Sequence, residues 1–261
     1  MTIHPTAIVS DDASIADSAE IGPFCIIEGP VEIGNGTVIE SHARIGSRYG
    51  RVSIGKDNLI QHGAVLGGPA QDYSYKDASA ALHIGDRNRI GEYCSISLGT
   101  PKGDGVTRVG NDNFLMAFVH LGHDCQLGDH IVIVNGTQLA GHVVIDDHAL
   151  LSGLAGVTQF VRLGTYSFLT AGAFANKDIP PYAVAEGHWA VPKAVNRIGL
   201  KRAGFGPAER KRIEAAMRLL LDRELKMDEV VNRIDAELGG HPEITGLLDF
   251  LRASSRGVAR G

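Results

Sequence analysis

An aliphatic residue returns every six positions along the first two thirds of the chain. It occupies positions 3 to 45 in steps of six, then Ile54, Ile60 and Leu66, then Ile84, Ile90 and Ile96, and finally runs unbroken from Val109 to Leu169. All 25 of these positions hold Ile, Leu or Val, although those types make up only 64 of 261 residues, so the periodicity is a property of the fold rather than of composition. Four residues after each aliphatic one stands, as a rule, a small residue: Ala19, Cys25, Ala43, Cys94, Cys125, Ala149, Ala173. Gly often follows the aliphatic residue directly, as in Ile21-Gly22 and Leu127-Gly128.

A period of six is neither that of a helix nor that of a long strand. It fits a prism in which each hexad is one short strand plus a corner, three hexads close a coil, and stacked coils pair their backbones at about 4.8 Å. The large aliphatic and the small residue both point into the narrow interior. The pattern therefore predicts a parallel β-helix over residues 1–180. Two stretches lose the register and recover it, 67–83 and 97–108, and these read as loops extruded from corners, where a rigid solenoid carries its binding groups. A shorter interruption at 46–53 reads as a widened corner.

The register ends near Lys177, and Ile179-Pro180-Pro181 prevents its continuation. Residues 181–206 read as a linker. Beyond them the spacing turns helical over 207–261: Pro207 opens one helix with Ile213, Met217, Leu220 and Leu221 on a face, Met227 or Asp228 a second, and Pro242 a third.

Composition adds three points. Aromatics are only 6% while Gly reaches 33 residues, as a narrow aliphatic interior requires. No apolar run approaches the roughly 18 residues of a membrane span, and the N-terminus lacks a signal-peptide pattern, so a cytoplasmic protein with no membrane insertion is expected. Cys25, Cys94 and Cys125 all fall on the small inward position and read as space-filling residues rather than catalytic thiols. Charge divides unevenly: residues 1–176 carry 10 Lys+Arg against 18 Asp+Glu, residues 177–261 carry 15 against 12. An acidic partner would meet the C-terminal part. Nucleic acid is a poor candidate, since no dense basic stripe appears.

Positions 18 apart lie above one another on successive coils, which maps side chains without coordinates. His123, Gly141 and Gln159 form one column, Asp124, His142 and Phe160 the next, and His120 precedes His123 by three residues. Three imidazoles and a carboxylate thus gather beside a Gly whose backbone N–H is accessible, the composition of a general-base site with an oxyanion donor. Most other histidines fall at variable positions and read as exposed. Three His on a trimeric β-helix can also hold zinc between subunits, as in carbonic anhydrases of the gamma class, and this second reading stays open here.

Several motifs together, His120-Leu121-Gly122-His123-Asp124-Cys125, Leu139-Ala140-Gly141-His142, Gly85-Asp86-Arg87-Asn88-Arg89-Ile90, Gln71-Asp72, Asp178-Ile179-Pro180-Pro181-Tyr182 and Gly199-Leu200-Lys201-Arg202, resemble the UDP-N-acetylglucosamine O-acyltransferases of lipid A synthesis, over essentially the whole chain. The resemblance implies a left-handed β-helix and a homotrimer with active sites between neighbouring prisms. It further implies His123 as general base toward the sugar 3-hydroxyl, Asp124 as its support and Gly141 N–H as oxyanion donor. Asp72, Lys76, His120, His142 and Gln159 would contact the sugar or the acyl group, and Asn196 and Arg202 the nucleotide. The donor would be an (R)-3-hydroxyacyl chain on the phosphopantetheine of acyl carrier protein, with no further cofactor and no metal. Lys201, Arg202, Arg210, Lys211 and Arg212 would offer that carrier a basic docking patch. Phe168, Ala171 and Trp189 would bound the acyl groove, with Trp189 stopping a medium-length chain.

The sequence departs from the family pattern at named positions. Ser74 stands where the family has Lys, with Lys76 displaced by two; Ser97-Leu98 replace a His-Arg pair; Thr158 replaces a His before Gln159; Ile198, Ala203 and Trp189 replace an acidic residue, an Arg and a His. The chemical set is kept while polar contacts to substrate are thinned, which fits a divergent member or a paralogue acylating a 3-amino or other nucleotide sugar. Weaker binding of UDP-N-acetylglucosamine is expected.

Overall fold

The structure, a computed structural model, describes residues 2–73 and 80–260. Among these the hexads form short strands, mostly of two residues, that stack into three sheets of 11, 9 and 8 strands, parallel throughout except for the last pair of the largest. Register follows the period directly: Leu121 pairs with Leu139, Leu139 with Val157 and Val157 with Ala175 on the second sheet. Each strand's aliphatic residue points inward, so that Ile60, Leu115, Leu121, Ile133, Leu139 and Leu151 are wholly buried in one continuous core. The small inward residues complete the filling. All three cysteines are buried, and burial pushes the thiols of Cys94 and Cys125 up to about 11 and about 12, which leaves them protonated and inert.

Two features of the repeat were not visible in its hydrophobic pattern. The inward position after Ile54, Ile84 and Val109 carries Asn58, Asn88 and Asn113, which form a buried ladder: Asn88 donates through Nδ2 to Asn58 Oδ1 (3.0 Å) and Gly110 O (2.9 Å), and its Oδ1 accepts from Asn113 N (3.0 Å). Such side chains satisfy the backbone groups that a corner strips of partners. The second residue of many corners adopts the left-handed conformation, including Asp124, His142 and Phe160 at φ near +60°. Because Phe24, Tyr93, Phe118 and Leu154 do the same elsewhere, that conformation belongs to the corner and not to the chemistry.

The interruptions are shorter than the sequence suggests. The strands Gly50–Ile54, Ala80–Ile84 and Val106–Val109 lengthen together, since parallel neighbours extend one another's ladder. Among the described residues, non-strand chain in these interruptions is thereby limited to 69–73 and 98–105. The expected linker at 181–206 is largely structured. Strands Ala183–Glu186 and Val191–Val195 form an antiparallel hairpin that extends the largest sheet, and a short helix α1, Arg197–Arg202, follows.

Helices α2 (Pro207–Leu221), α3 (Met227–Leu238) and α4 (Pro242–Ala253) start where the prolines and Met227 indicated. They bury Ile213, Met217, Leu220, Ile234, Leu247 and Leu251 against each other. Asp178 ties them to the last coil, accepting from Arg162 N (2.8 Å) and Ser254 Oγ (2.6 Å), while Tyr182 O–H donates to Glu243 O (3.1 Å). No helix among the described residues is long and apolar enough to cross a membrane.

Candidate active site

The strands His120–Leu121, Gln138–Leu139, Gly156–Val157 and Phe174–Ala175 form the wall of a groove of about 550 Å³ on the 9-stranded sheet. Gln71, His120, His123, Gly141, Thr158, Gln159 and Phe174 line it. The corner after Leu121 delivers His123 and Asp124, both nearly buried. His123 Nδ1 lies 2.8 Å from Asp124 Oδ2. A carboxylate only accepts, so Nδ1 carries the proton and Nε2 keeps its lone pair for an incoming hydroxyl.

Asp124 is itself held from behind. Its Oδ1 accepts from Thr100 N (2.8 Å), its Oδ2 from Thr100 Oγ1 (2.7 Å), and its own N–H donates to Thr107 Oγ1 (2.9 Å). Thr100 and Thr107 are buried, and neither was assigned a site role by the sequence pattern. The only sequence signal was the position of both inside the interruption of the repeat at 97–108.

One coil further along, Gly141 leaves room for the His123 ring. A Cβ there would fall 2.5 Å from His123 Cε1 and 2.6 Å from Nε2, so any larger residue displaces the imidazole. Among the described residues, the Gly141 N–H has no hydrogen-bond acceptor. His142 sets its ring edge-on to His123 at 5.0 Å and stacks on Phe160 at 4.5 Å, with Nε2 3.6 Å from Asp124 Oδ2. His120 turns its Nδ1 to Ser95 Oγ (2.7 Å).

Burial lowers the pKa of His142, outweighing the opposing pull of Asp124, and burial likewise lowers that of His120. His148, in the stack His130–His148–Tyr166 on another corner, is lowered for the same reason, with His130 adding to it. A His whose folded pKa lies below its unfolded value favours folding fully above the unfolded value and loses that contribution as pH falls below about 6.5. The thermal midpoint is therefore expected to drop between pH 7 and pH 5, and less steeply in His148→Gln. A pH-independent midpoint across that window would contradict the burial of these rings.

Not every residue named from the sequence gathers here. His120, His123, Gly141 and Gln159 line the groove, and Asp124 and His142 pack behind it. Lys76 lies outside the described residues. Asp72 is ion-paired with Lys102 at 2.8 Å. Asn196 caps α1, accepting from Gly199 N (3.0 Å) and donating to Tyr166 O (2.9 Å), on a different corner of the prism from His123, with Arg202 exposed at the end of the same helix. Phe168 belongs to the 11-stranded sheet rather than to the groove wall. Ala171 is an exposed corner residue, and Trp189 reaches the groove residue Phe174 through His188, with ring separations of 4.4 and 4.9 Å. Phe174 itself was missed. Ser97 and Leu98 turn into the core, and Thr158 Oγ1 is buried on the groove wall with no hydrogen-bond partner among the described residues. Arg212 is committed to Glu243 at 2.6 Å, which removes it from the expected basic patch.

A three-sided parallel β-helix of hexads with a His–Asp pair opening into a groove on one sheet defines a hexapeptide-repeat transferase, and the bacterial transferase hexapeptide model matches residues 2–47 and 107–141. The model of domain 2 of UDP-N-acetylglucosamine O-acyltransferase matches residues 178–259. The chain is 43% identical to the acyl-[acyl-carrier-protein]–UDP-N-acetylglucosamine O-acyltransferase of Burkholderia orbicola over 99% of both chains. Its fold superposes on the UDP-N-acetylglucosamine acyltransferase of Francisella novicida with a TM-score of 0.95 at 42% identity, covering all of this chain and 94% of that one. The Arabidopsis enzyme of the same name gives 0.87 at 31% identity, with 99% and 100% covered. The chain belongs to the UDP-N-acetylglucosamine O-acyltransferase family, with the left-handed β-helix and C-terminal helices of that family. These likenesses support an acyltransferase and lend nothing to the zinc hydratase alternative.

Proposed function

We propose that this enzyme moves an (R)-3-hydroxyacyl group from acyl carrier protein to the 3-hydroxyl of UDP-N-acetylglucosamine. The observation that carries the mechanism is the His123 ring, with Nδ1 committed to Asp124 and Nε2 turned toward Gly141. His123 Nε2 takes the proton of the sugar hydroxyl as its oxygen bonds to the thioester carbon. The carbonyl oxygen becomes an oxyanion beside the Gly141 N–H. Collapse breaks the carbon–sulfur bond, and the proton on Nε2 passes to the departing phosphopantetheine thiolate, which regenerates the base. No further cofactor enters that balance. Because the imidazolium forms against a fixed carboxylate, Asp124 stabilises it without itself becoming protonated.

The protein works as a homotrimer in this reading, since Asn196 and Arg202 stand on a different corner from His123 and would serve the nucleotide of a neighbour's site. Lys201 and Lys211 would meet the acidic carrier. Titration with UDP-N-acetylglucosamine, its 3-amino analogue and related UDP-sugars tests the acceptor: preferential binding of UDP-N-acetylglucosamine is expected, and preferential binding of the 3-amino sugar would overturn an ester product.

Acyl length is set by aromatic side chains beyond Phe174. Each methylene admitted or excluded is worth about 0.8 kcal/mol, so Trp189→Ala is expected to move the optimum on a ladder of acyl donors to longer chains by two to four carbons, roughly, if burial of those methylenes is what Trp189 denies. An unchanged optimum would show that Trp189 only packs on the prism.

A further inference from the structure

The loop between Leu98 and Val106 carries the turn Thr100-Pro101-Lys102-Gly103, closed by a hydrogen bond from Gly103 N to Thr100 O (3.1 Å). Pro at the second position presets the backbone of such a turn. Both ends of the turn press on the catalytic carboxylate. Thr100 donates to it twice, and Gly103 passes so close that a Cβ would fall 2.6 Å from Asp124 Oδ1. The tip of the turn points the other way, and Lys102 Nζ lies 2.8 Å from Asp72 Oδ2, on the loop whose Gln71 lines the groove.

We propose that Lys102 is a substrate-binding residue for the acceptor sugar, a cation fixed relative to the catalytic dyad by the Thr100–Gly103 turn and oriented by Asp72. This rests on the acyl-transfer reading above. The ammonium has three donors, and among the described residues Asp72 is its ion-pair partner, so two N–H groups remain for oxygen acceptors. The chemistry of the pair selects the ligand. A phosphate would be repelled by the Asp72 carboxylate, and an alkyl chain gains nothing from either charge. A neutral sugar hydroxyl offers its oxygen to the ammonium and meets no repulsion from the Asp72 carboxylate beside it. Lys102 and Asp72 also act electrostatically on His142, in opposite directions, which places the pair within reach of the catalytic cluster. With its side chain 59% exposed, Lys102 contributes little to the fold, so its replacement reads out binding rather than stability.

The test is steady-state kinetics and calorimetric UDP-N-acetylglucosamine binding on the full-length protein and on Lys102→Ala, Lys102→Gln and Lys102→Arg. Loss of contacts made equally in ground and transition states raises KM for the acceptor about tenfold, leaves kcat within about twofold and leaves KM for the acyl donor unchanged. Lys102→Arg restores most of the acceptor affinity. An unchanged acceptor KM, or a fall in kcat alone, would overturn the proposal, because that pattern marks a turn that only braces Asp124. Binding separates the two claims: wild type that binds the UDP-sugar without turning it over refutes the acyl-transfer reading while the variants still report on Lys102. Absence of UDP-sugar binding by wild type refutes both.

Discussion

Replacing His123 by Ala is expected to lower kcat/KM by about 10² to 10⁴, the usual worth of a positioned general base, with the thermal midpoint nearly unchanged. The size follows from the reaction, because a sugar hydroxyl is a poor nucleophile until its proton has somewhere to go. The neutrality of the fold follows from the structure. His123 sits on a corner rather than in the strand ladder, and Asp124 keeps both hydrogen bonds from Thr100 when the imidazole is gone. No buried carboxylate is orphaned. Turnover retained within tenfold of wild type would remove His123 from the role of base, whereas a large drop in midpoint would mean that the dyad braces the coil. Steady-state assays and thermal melting on the same preparations give both quantities.

Asn88→Leu is expected to have the largest effect on stability. The side chain is fully buried and bonds to Asn58 and Gly110 while receiving Asn113 N. Leu is of similar size, so little cavity opens, but the Asn113 N–H and the Gly110 carbonyl lose partners that water cannot replace. At about 1–3 kcal/mol for each orphaned group, the change should cost about 3 kcal/mol. Urea unfolding followed by far-UV circular dichroism measures it. A loss below about 1 kcal/mol, the scale of an ordinary net hydrogen bond, would show that the ladder is a consequence of the coil and does not hold it together.

The coil was legible in the sequence because every strand repeats one inward aliphatic residue at a fixed interval, and the interior of the prism tolerates no other pattern. That same regularity placed His123 beside Gly141 and Asp124 beside His142, since corner residues 18 apart stack whenever no insertion intervenes. Insertions are where the arithmetic fails. Thr100 and Thr107 reach Asp124 across a loop whose path has no period, so nothing in their spacing announces the contact. Leu98 was read as part of a loop extruded from a corner, yet it is wholly buried. The hairpin of residues 183–195 continues the largest sheet with Ala, Pro and Lys in place of a clean aliphatic hexad, and it read as linker for that reason. Phe174 was hidden differently: it occupies an outward strand position, and only the absence of a side chain at Gly156 lets it lie over the groove floor. The Asn ladder escaped because polar residues at inward positions look like failures of the repeat until their partners on the next coil are known.

The central claim is that this groove makes an ester between an acyl chain and the 3-hydroxyl of a UDP-sugar. Mass spectrometry of the products formed from (R)-3-hydroxyacyl carrier protein and UDP-N-acetylglucosamine tests it most directly, with wild type and His123→Ala run side by side. The account predicts a singly acylated UDP-sugar that mild alkali cleaves, formed by wild type and reduced at least a hundredfold, roughly, in the variant that lacks the base. An alkali-stable amide, or no acylated UDP-sugar from wild type while free fatty acid accumulates, would contradict it.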